Sequence, residues 1–230
     1  MTTPHFVFIF FEILQSVPFT LAVGLFTLIA SFIIGVLVAL VFIYKTPVLW
    51  QLAAVYVSII RGTPLLVQLF VNYYMLPRTF RNLLHLIGAE WSGDVNAIAV
   101  VLFSFSMYYG AYQQETVKAA LSSVDHSQKE LADSFGYPLR CTLIKIILPQ
   151  ATRYALPNLL NTFLSTLKAM SVVFTIGVLD IFARAKLLAS LYGNPLMIFF
   201  AAALVYWCVC LVASKCVSAL ENKSAWPEAV

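Results

Sequence analysis

The chain has 230 residues, of which 61% are hydrophobic and 10% charged, with a net charge of +4. Soluble domains carry roughly 25% charged residues and need that polar cover. The composition excludes a disordered chain, a collagen-like repeat, a disulfide-stapled scaffold and an ordinary water-soluble globule. No Asp, Glu, Lys or Arg lies between Glu12 and Lys45, between Asp94 and Glu115, or between Lys186 and Lys215. Each gap is long enough for the roughly 20 residues that cross a ~30 Å hydrocarbon core. The chain therefore reads as an all-α, polytopic membrane protein.

In chain order, the apolar stretch Phe6–Leu14 is short and contains Glu12, which predicts an interfacial helix rather than a span. It lacks the basic start of a secretory signal, because no Lys or Arg precedes Lys45, and is expected to be retained. Five spans are predicted, at about 18–43, 50–77, 95–116, 155–179 and 195–218. The connections at 44–49 and 115–154 and the tail from Lys215 hold eight Lys and Arg. The opposite set holds four: Arg78, Arg81, Arg184 and Lys186. This bias places the N-terminus outside and the C-terminus in the cytoplasm. Cys208 and Cys210 lie in an apolar run and read, with Cys141 and Cys216, as packing residues. No metal site is expected, since no cluster of His and carboxylates accompanies them.

Two spans contain breaks that a passive anchor does not need. The second holds Arg61-Gly62-Thr63-Pro64, a charge followed by two helix breakers. The fourth holds Pro157, Asn158, Asn161 and Lys168. Broken helices persist in lipid where protein or water satisfies the freed backbone groups. Arg61 falls near the cytoplasmic interface, where a structural role fits. Lys168 reads either as a cavity-lining residue or as a paired, snorkelling one. Asn158 and Asn161 share a helix face, where they can bond another helix or a solute.

The connection at about 117–154 is the most charged part of the chain and too long for a simple link. Val117, Ala120, Leu121, Val124, Leu131 and Phe135 recur at helical spacing. Asp125 and Ser127 can cap a fresh turn carrying Gln128, Lys129, Glu130 and Asp133. Gly136 with Tyr137-Pro138 is expected to end it. A second amphipathic piece over 139–148 is expected to stop at Pro149. The result is a short charged helix between two turns, a docking surface on the cytoplasmic side.

Glu130, Ala132, Gly136, Ile146, Leu148 and Pro149 fall at the spacing E-A-A-x3-G-x9-I-x-L-P, with Leu131 in place of the first alanine. That pattern resembles the cytoplasmic signature of permease subunits of bacterial ATP-binding-cassette importers. The run from Arg61 to Gln68, Tyr112 to Glu115, and Leu148 to Ala151 with Pro157 resemble the polar amino-acid branch. The likeness covers about 15–220. It implies a type I importer permease fold, with Gln128, Lys129, Glu130, Ala132, Asp133 and Gly136 forming the ATPase-coupling segment. Candidates for the translocation pathway are Arg61, Gln68, Asn158, Asn161, Lys168, Ser171 and Asp180; the last also reads as a plain loop carboxylate. The branch commonly has an acidic residue after the lysine of the fourth span, where this chain reads Lys168-Ala169-Met170-Ser171. Losing that acid disfavours arginine, lysine and histidine as cargo, relative to neutral, dicarboxylic or sulfur-containing amino acids. The run from Ser171 to Val178 resembles cystine-type permeases.

The implied setting is the bacterial cytoplasmic membrane. The implied partners are an ATPase dimer carrying ATP and Mg, a second permease chain, an extracytoplasmic substrate-binding protein and the amino-acid cargo, with no nucleic acid. No catalytic residue or cofactor is expected in this chain. It has no phosphate-binding glycine loop, so hydrolysis must occur elsewhere. A self-contained secondary transporter or structural subunit leaves the docking segment unexplained. An intramembrane enzyme fits worse still: His5, His85 and His126 lie outside the spans, and no carboxylate lies deep within one.

Overall fold

The computed structural model describes residues 5–88 and 95–224, which are helical, with no strand among them. Positions 89–94 of the expected outer connection, and 225–230 of the tail, lie outside the described residues. Helix α1 (Phe6–Leu14) turns at Gln15 and Ser16 into α2 (Val17–Tyr44). The helix at 6–14, expected at the interface, buries Ile9 and Ile13 completely. Helix α2 closes on Lys45 in the left-handed conformation, φ 46°.

The expected second span is two helices, α3 (Leu49–Gly62) and α4 (Leu65–Leu86), bent by 116° at the Gly62-Thr63-Pro64 break. Helix α4 runs through Pro77, beyond the expected end of that span. Helix α5 (Ala97–Ser122) starts on Asn96, whose side chain accepts from the Ile98 N–H at 2.9 Å. It continues past the expected end at 116. Then come the short α6 (His126–Ser134), α7 (Leu139–Thr142), a π-helical turn at Leu143–Ile147, and α8 (Leu148–Ala169).

Pro149 and Pro157 do not break this run. Pro149 stands in the first turn of α8, where its missing N–H is tolerated, and the wide π turn before it takes up the local mismatch. Pro157 lies inside α8 and withholds only one donor. The α-helical geometry ends further on, in a 3₁₀ segment, Met170–Ile176, closed by Gly177 at φ 81°. The connection expected at 180–194 contains α9 (Ile181–Tyr192), capped by Asp180 and ended by Gly193. Helix α10 (Pro195–Ser224) completes the described chain.

By length and composition, three stretches among the described residues can cross a membrane: Phe6–Tyr44, Leu139–Ile176 and Pro195–Ala219. The bent α3–α4 pair makes a fourth if it counts as one span. Helix α5 is too rich in Ser, Tyr and Gln to qualify, yet it is the hub of the molecule. Its Val100, Val101 and Phe105 are fully buried against Val23 of α2, Leu69 of α4 and Met170 and Val173 of the 3₁₀ segment.

Helix α2 buries a row of small residues, Thr20, Gly24, Thr27, Ser31, Gly35 and Ala39, with Gly24 against Leu167 of α8 and Gly35 against α5. Lipid tails are as apolar as leucine, so helices in membranes associate through close packing that small residues permit. A Cβ on Gly35 would lie 2.6 Å from the Gln113 Cβ, and one on Gly110 would lie 2.6 Å from the Ile34 Cγ2. A second cluster joins α1, α9 and α10 through Ile9, Ile13, Ile181, Leu188, Ile198 and Val205. The ion pair from Arg184 Nη2 to Glu12 Oε2, 2.6 Å, pins α9 to α1.

Candidate functional site

The sharp elbow between α3 and α4 leaves helix-end carbonyls that lipid cannot satisfy. Gln68, buried at the start of α4, answers this. Its Nε2 donates to the carbonyls of Ile60 (2.7 Å) and Thr63 (3.0 Å) and to the Thr63 hydroxyl (2.6 Å). Thr63 Oγ1 in turn donates to the Ile59 carbonyl at 2.8 Å. The elbow holds Arg61 in the last turn of α3, facing α5. Its Nη1 lies 3.2 Å from Glu115 Oε1, and its guanidinium sits 5.4 Å from the centre of the Tyr112 ring. Lys118 Nζ takes the other carboxylate oxygen at 3.3 Å.

Beside this pair lies a groove of about 610 Å³ between α5 and α8. One wall is α5, with Tyr108, Tyr112 and Thr116. The other is α8, whose Asn158, Asn161 and Ser165 recur every three or four residues along one face. Asn158 Nδ2 donates across the groove to Thr116 Oγ1 at 2.6 Å. Nearly every lining residue has a polar group, and the charges among them are Arg61 and Glu115.

Of the pathway candidates, the structure brings Arg61, Asn158 and Asn161 together in this groove. It does not bring the other four. The Gln68 amide is occupied by the elbow. Lys168 is exposed near the end of α8 and makes no salt bridge among the described residues. The Ser171 hydroxyl donates to the Lys168 carbonyl at 3.0 Å. Asp180 is fully buried, accepting from the Ala183 N–H at 2.8 Å and the Tyr206 hydroxyl at 2.9 Å. Burial raises its carboxyl pKa above the usual range, and the same two hydrogen bonds oppose that rise. Glu115, missed as a site residue, ends the charge gap that begins after Asp94. Its partner Arg61 lies 54 positions away, so no local spacing pairs them.

The docking segment is built as a separate unit. Asp125 Oδ1 accepts from the Ser127 N–H at 2.9 Å and starts α6. At the other end Gly136 takes φ 72°, its N–H bonds the Asp133 carbonyl, and the Tyr137 N–H bonds the Ala132 carbonyl. This is a Schellman cap, which needs a residue without a Cβ penalty at that position. Lys129, Glu130 and Asp133 point outward, and Leu131 and Phe135 beside them are 59% and 73% exposed. Ala132 is buried. Gln128 turns inward and exchanges amide hydrogen bonds with Gln150 at the start of α8. Ala120 and Val124 pack against Ala151 and Ala155, so the flanks of α6 are fixed to both walls of the groove.

Comparison with known proteins agrees with this architecture. Residues 31–224 match the family described as "Binding-protein-dependent transport system inner membrane component". A probable amino-acid ABC transporter permease protein, PatM of Vibrio harveyi, is 36% identical over 88% of this chain and 87% of its own length. The L-cystine transport system permease protein TcyL of Bacillus subtilis is 35% identical over 85% of this chain and 80% of its own. Among solved structures, a crystal structure of an amino acid ABC transporter with histidines superposes with a TM-score of 0.80 at 26% identity. It covers 97% of this chain and all of that one. A MetNI methionine ABC transporter shares the fold at TM-score 0.65 and 16% identity.

Proposed function

Since this chain belongs to the family of binding-protein-dependent transport system inner membrane components, as a permease rather than an enzyme, we propose that it works in an ATP-driven amino-acid importer of the bacterial cytoplasmic membrane. Two permease chains, identical or related, enclose the pathway. A pair of ATPases, which holds the ATP and Mg, docks from the cytoplasm, and this chain carries no cofactor of its own. A binding protein delivers cargo at the outer face. The N-terminus lies outside and the C-terminus inside.

The observation that carries this reading is α6. A nine-residue helix capped at both ends displays Lys129, Glu130 and Asp133 beside exposed Leu131 and Phe135. It follows α5 directly and leads into α8 through α7 and the π turn. ATPase closure that draws two such helices together moves the two walls of each groove, which alternates access without any chemistry in this chain. Ala169, standing where the branch commonly has an acid, and the cystine-system relatives support a neutral, dicarboxylic or sulfur-containing amino acid as cargo.

Charge at a docking face sets register and partner choice. Glu130→Lys should therefore abolish co-purification of the ATPase and ATP-coupled uptake, while the chain still reaches the membrane. Undiminished uptake in that variant overturns the docking role. A clear preference for arginine in uptake assays overturns the cargo class.

A further inference from the structure

The charged groups lining the groove are Arg61 and Glu115, and Lys118 reaches the same carboxylate from beside it. Glu115 is served three times. Its Oε1 accepts from Arg61 Nη1 at 3.2 Å and from Gln114 Nε2 at 2.9 Å, and its Oε2 accepts from Lys118 at 3.3 Å. Arg61 has one carboxylate partner and otherwise lies over the Tyr112 ring. The two side chains are 43% and 48% exposed, and a pair this open contributes little to holding helices together. If Arg61 turned to another anion, Glu115 would keep Gln114 and Lys118 and would not be stranded.

A guanidinium presents a planar fork that matches a carboxylate, and it stays charged at any working pH. We propose that Arg61 is the carboxylate receptor of the groove, and that Glu115 is its resting counter-ion, displaced by the α-carboxylate of a passing amino acid. The Asn158 and Asn161 amides lie along the facing wall, within the same 610 Å³ space. One carboxylate replaces another, so cargo enters and leaves without uncovering a bare charge. The arrangement favours zwitterionic and dicarboxylic solutes and disfavours those with an extra cation. This inference rests on the importer reading above.

The test uses the permease–ATPase complex in nanodiscs without its binding protein, whose own selectivity would mask the groove. Binding of labelled L-cystine, L-glutamine, L-glutamate and L-arginine is measured by scintillation proximity, beside uptake by the full system. For the transported solute, Arg61→Gln should weaken binding roughly 10- to 100-fold, the loss of a charge-assisted pair. Arg61→Lys, which keeps the charge but not the fork, should fall between. Glu115→Gln, which removes the competitor, should bind at least as tightly as wild type. Co-elution with the ATPase certifies each variant, and Arg61→Lys decides if Arg61→Gln fails to assemble. Equal losses in the Arg61 and Glu115 variants would make the pair a structural clasp and overturn the proposal. Unchanged binding in the Arg61 variants would do the same, as would wild-type complex that transports yet binds none of the four, or binds arginine tightest. A wild-type system that imports no amino acid sinks the importer reading itself.

Discussion

Along α5, the side facing α2 is sealed backbone to backbone, whereas the side facing α8 stands open and polar. Both depart from the leucine-rich surface expected of a span, for opposite reasons. Toward α2, glycine and serine shorten the distance between helices, and the Gln113 amide is so enclosed that it has no hydrogen-bond partner among the described residues. Toward α8, tyrosine, threonine and asparagine line an open polar space of about 610 Å³. Low hydropathy in a membrane helix thus marks either very tight packing or a solvated wall, and only the neighbour tells which.

Substitutions on the two sides should separate these roles. The largest effect is expected from Gly35→Ala. The added Cβ would fall 2.6 Å from the Gln113 Cβ and 3.0 Å from the backbone at Gln113 and Gln114, which has no easy way to yield. We expect a loss of about 3 kcal/mol, read as a lower melting temperature of the assembled complex by fluorescence-detected size exclusion. An unchanged melting point would show that α2 and α5 do not depend on close approach.

Asn158→Ala removes the bond to Thr116 and should cost about 1 kcal/mol, in line with other interhelical hydrogen bonds in membranes. A neutral result would mean that the groove walls are held from their ends alone. Asn161→Ala should leave stability within about 0.5 kcal/mol, because its side chain only faces the groove, yet it should alter uptake. If it lowered the melting temperature as much as Asn158→Ala, the contrast between the tie and the lining residue would collapse.

The elbow at Gly62-Thr63-Pro64 was legible in the sequence because two breakers and a charge in an apolar run admit few other readings. So was α6, whose Asp125 start and Gly136 stop are local chemistry. Pro149 and Pro157 misled for a physical reason: a proline in a first turn or inside a long packed helix costs one donor, and the neighbouring turns absorb it. Helix α9 was hidden because it is short and one of its packing partners, α1, lies far away in sequence. Gln68 and Asp180 read from the sequence as pathway candidates, whereas in the structure their hydrogen bonds go to the elbow carbonyls and to a helix cap. Polarity alone does not distinguish a group that serves the fold from one left facing a solute.

The π turn at Leu143–Ile147 carries a consequence for descent. Such a turn holds one residue more than the α-helical path between the same two points. Each residue advances an α-helix by about 100°. Deleting one residue between 143 and 147 would close the turn to ordinary α geometry and leave α6 aimed as it is, whereas the same deletion in an uninterrupted α-helix would swing everything before it by about that angle. A lineage can therefore drop a residue here and keep its docking helix aimed at the same partner, with every side chain on that helix unchanged.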